Sequence, residues 1–377
     1  MDLRKTLDSY PQVFVVCDRT VEAFARLLGD YPTLTLYASE STKTPETAIE
    51  ICRWLLEHGA DRDALVIAVG GGVTTDLVGF AASIYKRGIR YANIPTTLLA
   101  MVDASLGGKT GVNLDDYKNM LGSFRQPEFT WLLPDVLRSL PRREFLSGAA
   151  EMLKTFIIEN REDGYARTVK LLSAFASTGV SPVDTAAGLE ELSALISAAS
   201  GVKQDIVSRD PLERGERRVL NLGHTWAHAI EWWQHQPAEA PAASAAGAAG
   251  SPEPRRTYTH GEAVAIGIVA AARKAEELGI AEALPAPSPA SSAPSPSAPS
   301  SSAPAPSAPL RLSEKLAADF AACGLPTELP CSEDELAAAV ARDKKAEAST
   351  GSGSKSVNYV LPVRIGKVVI SALSLPS

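Results

Sequence analysis

The sequence predicts an α/β fold built on a parallel sheet, followed by a mainly α-helical second domain. Three observations carry this expectation. Short apolar runs alternate with segments of helical spacing through the first third of the chain. One of those runs leads directly into three consecutive glycines. From about Arg142 onward the strand pattern stops and long Ala/Leu/Glu-rich stretches replace it.

Strands are expected at Val13 to Val16, Thr33 to Tyr37, Leu65 to Val69 and Tyr91 to Ile94, each a short run suited to burial on both faces. Between them, Val21 to Leu28, Pro45 to His58 and Thr75 to Tyr85 have helical spacing. This alternation implies parallel strands covered by helices. Glu144 to Asn160, Leu189 to Val207, Val219 to Trp233 and Gly261 to Leu278 read as later helices, with a last strand at Val357 to Leu361. The expected division is therefore residues 1–140 and 141–377. Two Pro/Ala/Ser-rich inserts, at about 236–256 and 282–310, hold too little apolar surface to offset chain entropy and are expected to be disordered.

With 377 residues, 45% of them hydrophobic, the chain is long enough for two well-buried cores. Its net charge of -7 argues against nucleic acid as the main partner, while leaving room for a local basic pocket. No apolar stretch approaches the roughly 20 residues of a membrane span, and Val13 to Cys17 is too short for the core of a secretory signal. The four cysteines form no C-x-x-C pair, which argues against a thiolate metal cage and a disulfide framework. A reducing, cytoplasmic location is expected.

Gly70, Gly71 and Gly72 follow the third expected strand and precede a helix, so the backbone can approach a ligand and free N–H groups can face an anion. The diphosphate of a dinucleotide suits such a turn; the alternative is a tight strand-to-helix turn with no ligand. The run is not the usual G-x-G-x-x-G, which would need a glycine at Val73 or Thr75. Gly107-Gly108-Lys109-Thr110 resembles the tail of a P-loop, but the first glycine of that motif would fall at Asp103.

The chain holds five histidines, of which His224, His228 and His260 fall in two short motifs. His224 and His228 stand four apart on one helical face. Glu151 interrupts an otherwise apolar helix, and a buried carboxylate is costly unless paired or bound to metal. One carboxylate and two imidazoles with an open position form a catalytic zinc shell. Spacing alone leaves open which two histidines would serve, and each alone reads equally as a satisfied core or surface side chain. A metalloprotease would need Glu at Thr225.

Together these motifs resemble 3-dehydroquinate synthase. The resemblance runs through GGGVTTDLVGFAAS, YKRGIRYANIPTTLLAMVDASLGGKTGVN, KNMLGSF, LPRREFLSGAAEMLK, RRVLNLGHTWAHAIE, HGEAVAIG and RDKK, in that order, between about residues 65 and 345. It implies an N-terminal NAD-binding domain and a helical domain for zinc and substrate, with cobalt as a substitute metal. Glu151, His224 and His260 would hold zinc. Glu40, Lys43, Gly71, Gly72, Asp76, Thr96 and Thr97 would line the NAD site, joined by Asp103, Lys109 and Lys118. The substrate shell would comprise Asp103, Lys109, Lys118, Asn119, Lys154, Lys203, Glu213, Arg217, Asn221 and His228, with one or both of Lys344 and Lys345. Arg87 would reach a neighbouring subunit's phosphate site, implying a homodimer.

The implied substrate, 3-deoxy-arabino-heptulosonate 7-phosphate, is anionic at both ends. Arg217 is expected to hold its carboxylate bidentately, and Lys109, Asn119, Asn221 and His228 its phosphate. Arg217 together with Lys203 favours this substrate over those of sugar-phosphate cyclases that lack a carboxylate. Two further alternatives are a metal-dependent alcohol or glycerol dehydrogenase and a catalytically silent scaffold that binds partners through the inserts.

Overall fold

A computed structural model describes residues 3–115, 117–236, 255–284, 310–332, 335–336 and 356–374. Lys344, Lys345 and nearly all of both expected inserts lie outside the described residues.

After a short helix α1 (Leu3–Leu7), the chain forms β1 (Val13–Asp18), α2 (Glu22–Ala25), β2 (Thr33–Leu36), α3 (Pro45–Glu57), β3 (Leu65–Gly70), α4 (Gly72–Ile84) and β4 (Arg90–Pro95). The four strands are parallel in the order β2-β1-β3-β4. Residue alternation explains why the strands are apolar throughout. Val66 and Ala68 pack with Ile51, Leu55, Leu77 and Val78 beneath α3 and α4, while Leu65, Ile67 and Val69 pack with Leu7, Ala25 and Leu28 on the opposite face. Helix α3 starts with Thr44 accepting from the Thr47 N–H at 3.3 Å and Pro45 in the first turn, a pairing that satisfies one free donor where another is already absent. The expected Val21 to Leu28 helix is instead one α-turn flanked by 3-10 turns and ended at Gly29.

The strand order reverses direction between β1 and β3. In open parallel sheets this is where ligands bind, beyond the carboxyl ends of the strands. The three glycines follow β3 at that end.

Next come a π-helical turn, Ala100–Ala104, and an antiparallel hairpin of β5 (Lys109–Leu114) and β6 (Tyr117–Phe124), which periodicity did not reveal. Helices α5 (Arg142–Ile158), α6 (Gly164–Thr178), α7 (Ala186–Arg209), α8 (His224–Gln234), α9 (His260–Glu277) and α10 (Leu312–Ala322) follow, then antiparallel β7 (Ser356–Arg364) and β8 (Lys367–Ser374). The largest apolar cluster joins α5, α7 and α9, and also takes in Leu98, Met101 and Val102 beside the π-turn. No helix among the described residues is long and apolar enough to cross a membrane.

The expected helix from Val219 to Trp233 is broken. A 3-10 turn, Glu216–Asn221, gives way at Gly223, whose φ of 80° is left-handed, before α8 begins at His224. A Cβ at Gly223 would stand 2.8 Å from Ile268 Cγ1 and 3.0 Å from the Val264 carbonyl, so glycine also permits α8 to approach α9 closely.

Candidate active site

Helices α5, α8 and α9 each contribute one member of a compact constellation: Glu151, His224 and His260, whose ligating atoms lie within 4.8 Å of one another. The backbone explains the convergence. Gly261 sits against α5 where any Cβ would collide with the Ser147 backbone, and its N–H donates to Ser147 Oγ at 3.0 Å. Thr259 and Glu262 cap the start of α9 reciprocally, fixing where His260 emerges.

The two rings present the same nitrogen. His224 Nδ1 lies 3.2 Å from the Leu222 carbonyl, and His260 Nδ1 lies 3.0 Å from Glu231 Oε1. Both partners are acceptors, so Nδ1 carries the proton in each ring. The Nε2 atoms then face Glu151 Oε1, at 3.8 Å from His224 and 3.3 Å from His260.

Glu151 is 0% exposed, and neither carboxylate oxygen receives a well-directed hydrogen bond, although Lys154 and His260 are in ion-pair contact. Burial would raise its pKa, but the Lys154 charge prevails and holds it near 2. A buried carboxylate with unused lone pairs beside two imidazole nitrogens fits a divalent cation. Burial and the Lys154 charge push His224 down to about 3, which keeps it neutral as a ligand must be. For His260, burial is outweighed by the two carboxylates it contacts, Glu151 and Glu231, which push its pKa up to about 10, so a metal would displace the proton facing Glu151. His228 lies one turn beyond His224, with ring centroids 5.5 Å apart.

A chain of charges leads away from this centre. Lys154 contacts Glu151 and lies 3.7 Å from Asp103 Oδ1. Lys203, on α7, donates to Asp103 Oδ1 at 2.6 Å and to its carbonyl at 2.7 Å. Burial opposes ionisation of Asp103, but Lys203 and Lys154 hold its carboxyl well below the usual range.

Lys109, at the start of β5, pairs with Glu213, whose other oxygen accepts from Asn221 Nδ2 at 2.9 Å. Glu213 has a left-handed φ of 56° in a loop organised by Asp210, which accepts three backbone N–H bonds from Arg214, Gly215 and Arg217. Burial, then the neighbouring Arg217 and Lys203 charges, push Lys109 down to about 8. Lys118, on β6, lies 3.6 Å from Glu231.

At the glycine turn, α4 begins at Gly72 with no side chain capping it, leaving its first N–H groups to face outward. A Cβ on Gly71 would stand 3.1 Å from Thr97 Cγ2 and one on Gly72 3.0 Å from Ala104 Cβ, so the turn packs against the Thr96–Thr97 segment. Lys43 Nζ bridges Asp76 at 2.5 Å and Asn119 at 2.6 Å. Burial raises Asp76 to about 6 despite that lysine. Asn113 binds Glu40 Oε1 at 2.9 Å and the Asn119 N–H at 2.8 Å, tying the loop after β2 to the hairpin. An uncapped helix start beside a bare glycine backbone fits a diphosphate.

Arg217 was expected to reach a substrate carboxylate; it is 2% exposed and donates to the Pro211 carbonyl at 2.7 Å and the Gly107 carbonyl at 2.9 Å. Its planar fork braces the Pro211 and Gly107 loops against each other. Arg87 lies beside the first residues of β4, where Leu65 pairs Arg90, whereas the glycine turn lies at the other end, where Gly70 pairs Pro95. It is exposed and stands apart from the other candidates of its own chain, the expectation for it being a neighbouring subunit's site. Two residues escaped the sequence reading, Asn113 and Glu231. The spacing of Glu231, seven after His224 on one helical face, was the available signal.

A parallel sheet with a glycine turn at its switch point, a Glu-His-His centre and a cluster of buried lysines fit the class of enzymes that use a nucleotide and a divalent cation. Models of the 3-dehydroquinate synthase N-terminal and C-terminal regions match residues 33–147 and 148–290. The 3-dehydroquinate synthase of Leptospira interrogans (strain Fiocruz L1-130) is 40% identical over 278 residues, 72% of this chain and 69% of that protein. That of Synechococcus sp. (strain ATCC 27144) is 35% identical over 359 residues, 94% of this chain and 80% of that protein. Among solved structures, the 2-epi-5-epi-valiolone synthase ValA from Streptomyces hygroscopicus subsp. jinggangensis 5008, with NAD+ and Zn2+ bound, has a TM-score of 0.71 at 26% identity, over 97% of this chain and 88% of that one. A 2-deoxy-scyllo-inosose synthase has the same fold, with a TM-score of 0.70 at 20% identity, over 99% of this chain and 91% of that one. The chain belongs to the 3-dehydroquinate synthase family.

Proposed function

We propose that this chain converts 3-deoxy-arabino-heptulosonate 7-phosphate to 3-dehydroquinate and phosphate, a carbon-oxygen lyase step on the route to chorismate and the aromatic amino acids. The observation that carries the reading is the buried Glu151 carboxylate, lacking directed hydrogen bonds and faced by two Nε2 atoms, within a family whose curated relatives are dehydroquinate synthases.

Glu151, His224 and His260 would hold zinc, or cobalt in its place. The uncapped start of α4 at Gly71 and Gly72, with Glu40, Lys43, Asp76, Thr96 and Thr97, would hold NAD. When bound, NAD supplies a transient oxidation of one substrate carbon, and the metal polarises the oxygen on it. The chain's residues bind and orient. Lys109, Asn119, Asn221 and His228 place donors where a phosphate would sit, and Lys154 and Lys203 keep fixed positive charge near the reacting hydroxyls. Glu213 holds Lys109 until the phosphate replaces it. Phosphate would leave by elimination next to the oxidised carbon and take the proton lost from the carbon between them. Return of the hydride would restore the alcohol, and the ring would open at its hemiketal so that the resulting enolate closes in an aldol reaction onto the chain's own ketone. Pre-organisation of such an intramolecular closure is worth about 7–11 kcal/mol.

The preference for a carboxylate-bearing substrate rests on the family rather than on Arg217, whose fork is occupied internally. The likeness to a valiolone synthase favours a second reading, cyclisation of a sugar phosphate lacking that group. The division near residue 140, a homodimer in which Arg87 serves the neighbouring site, and a cytoplasmic location complete the proposal.

The test is phosphate release from the heptulosonate phosphate with NAD and zinc, with and without chelator, and with sedoheptulose 7-phosphate as the competing substrate. Phosphate release without net NADH is expected from the first substrate. Release only from the second would transfer the chain to the second reading, and stoichiometric NADH would make it a dehydrogenase.

A further inference from the structure

We infer that Glu231 is a positioning residue of the metal site: by accepting the Nδ1–H of His260 it fixes which ring nitrogen faces Glu151. The inference rests on the metal reading above and extends it to a residue that touches neither substrate nor metal. His260 stands between two carboxylates, with Nδ1 3.0 Å from Glu231 Oε1 and Nε2 3.3 Å from Glu151 Oε1. Ionised carboxylates only accept, so the proton on Nδ1 belongs to the Glu231 contact and the Nε2 lone pair is the one offered to a cation. Turning the ring over would break that bond.

The two histidines are oriented by different means. His224 uses the Leu222 carbonyl, 3.2 Å away, which no side-chain substitution removes. His260 uses a side chain seven residues further along α8. One helix therefore provides both a ligand, His224, and the orienting group for the ligand on α9. Glu231 also lies 3.6 Å from Lys118 on β6, so the same carboxylate touches the hairpin. Lys118 is half exposed, and its pairing contributes little to holding Glu231.

The experiment measures zinc affinity by competition with a chromophoric chelator, and the visible absorption of bound Co2+, for the full-length chain and for Glu231→Ala, Glu231→Gln and Lys118→Met. An outer-shell hydrogen bond of this kind sets metal affinity by about 10–100-fold, and that loss, with a shifted cobalt band, is expected for Glu231→Ala. Glutamine keeps an accepting oxygen, so Glu231→Gln should recover most of the affinity and the wild-type cobalt band. Lys118→Met should bind zinc as the wild type does. The inference is overturned if Glu231→Ala holds zinc as tightly as the wild type, if the glutamine variant is no better than the alanine, or if Lys118→Met is equally damaging. Wild-type protein that took up no zinc would end the metal reading itself, and this inference with it.

Discussion

Lys203 Nζ donates both to the carboxylate of Asp103, at 2.6 Å, and to its backbone carbonyl, at 2.7 Å. One ammonium thereby closes the π-helical turn that carries Asp103 and neutralises its side chain. Breaking a buried pair by removing one partner typically costs about 3–5 kcal/mol. Lys203→Met should therefore lower stability by about that amount in urea unfolding, somewhat less because Lys154 remains. Because the folded Asp103 pKa is depressed, this stability is present above the unfolded value and lost as pH falls through the folded one. The loss should shrink as unfolding is measured at progressively lower pH. A Lys203→Met protein as stable as the wild type at pH 7 would refute the assignment.

In the proposed function Lys109 binds phosphate, yet burial and its cationic neighbours Arg217, Lys203 and Lys154 bring its pKa to about 8, against the opposing pull of Asp103 and contact with Glu213. A lysine must be protonated to attract the dianion. Affinity should therefore hold below pH 8 and weaken as pH rises through it, approaching about tenfold per unit well above that value. Solvent reaches 51% of the side chain, which softens the shift. KM measured from pH 6.5 to 9.5 tests this, and Lys109→Met should flatten the alkaline limb.

Arg217→Ala should lower activity if the side chain meets the substrate carboxylate. With its guanidinium bound to the Pro211 and Gly107 carbonyls, the substitution should also destabilise. Charged hydrogen bonds contribute about 1.5–3 kcal/mol, so a similar loss is expected in denaturant unfolding. Arg217→Lys cannot span both carbonyls and should recover little. Full stability in Arg217→Ala would return the side chain to a ligand role.

Zinc should stabilise the folded chain, because Glu151 is buried and neither of its oxygens takes a well-directed hydrogen bond. At a hundred times the dissociation constant the gain is about 2.7 kcal/mol. It should appear as a rise in Tm that Glu151→Ala and chelator both abolish. Gly261→Ala should lower Tm and shrink the zinc-dependent rise together, since a Cβ there separates α9 from α5.

Local pattern in the sequence was enough to locate the parallel strands, the glycine turn, helices α5, α7 and α9 and the residue types of the metal centre, though not α6 or α10. Each depends on a period or a short motif that a linear reading detects: β3 is apolar on both faces because both faces are covered, and Gly70 to Gly72 are contiguous. Tertiary structure alone decided the rest. The break at Gly223 depends on how closely α8 meets α9, the confinement of Arg217 on two carbonyls that are distant in sequence, and the role of Glu231 on a ring carried by another helix. A side chain's type and spacing are written in the chain. Whether it faces a ligand or is held by the protein's own backbone depends on which groups folding brings within hydrogen-bonding distance, and that is set by packing between elements far apart in sequence.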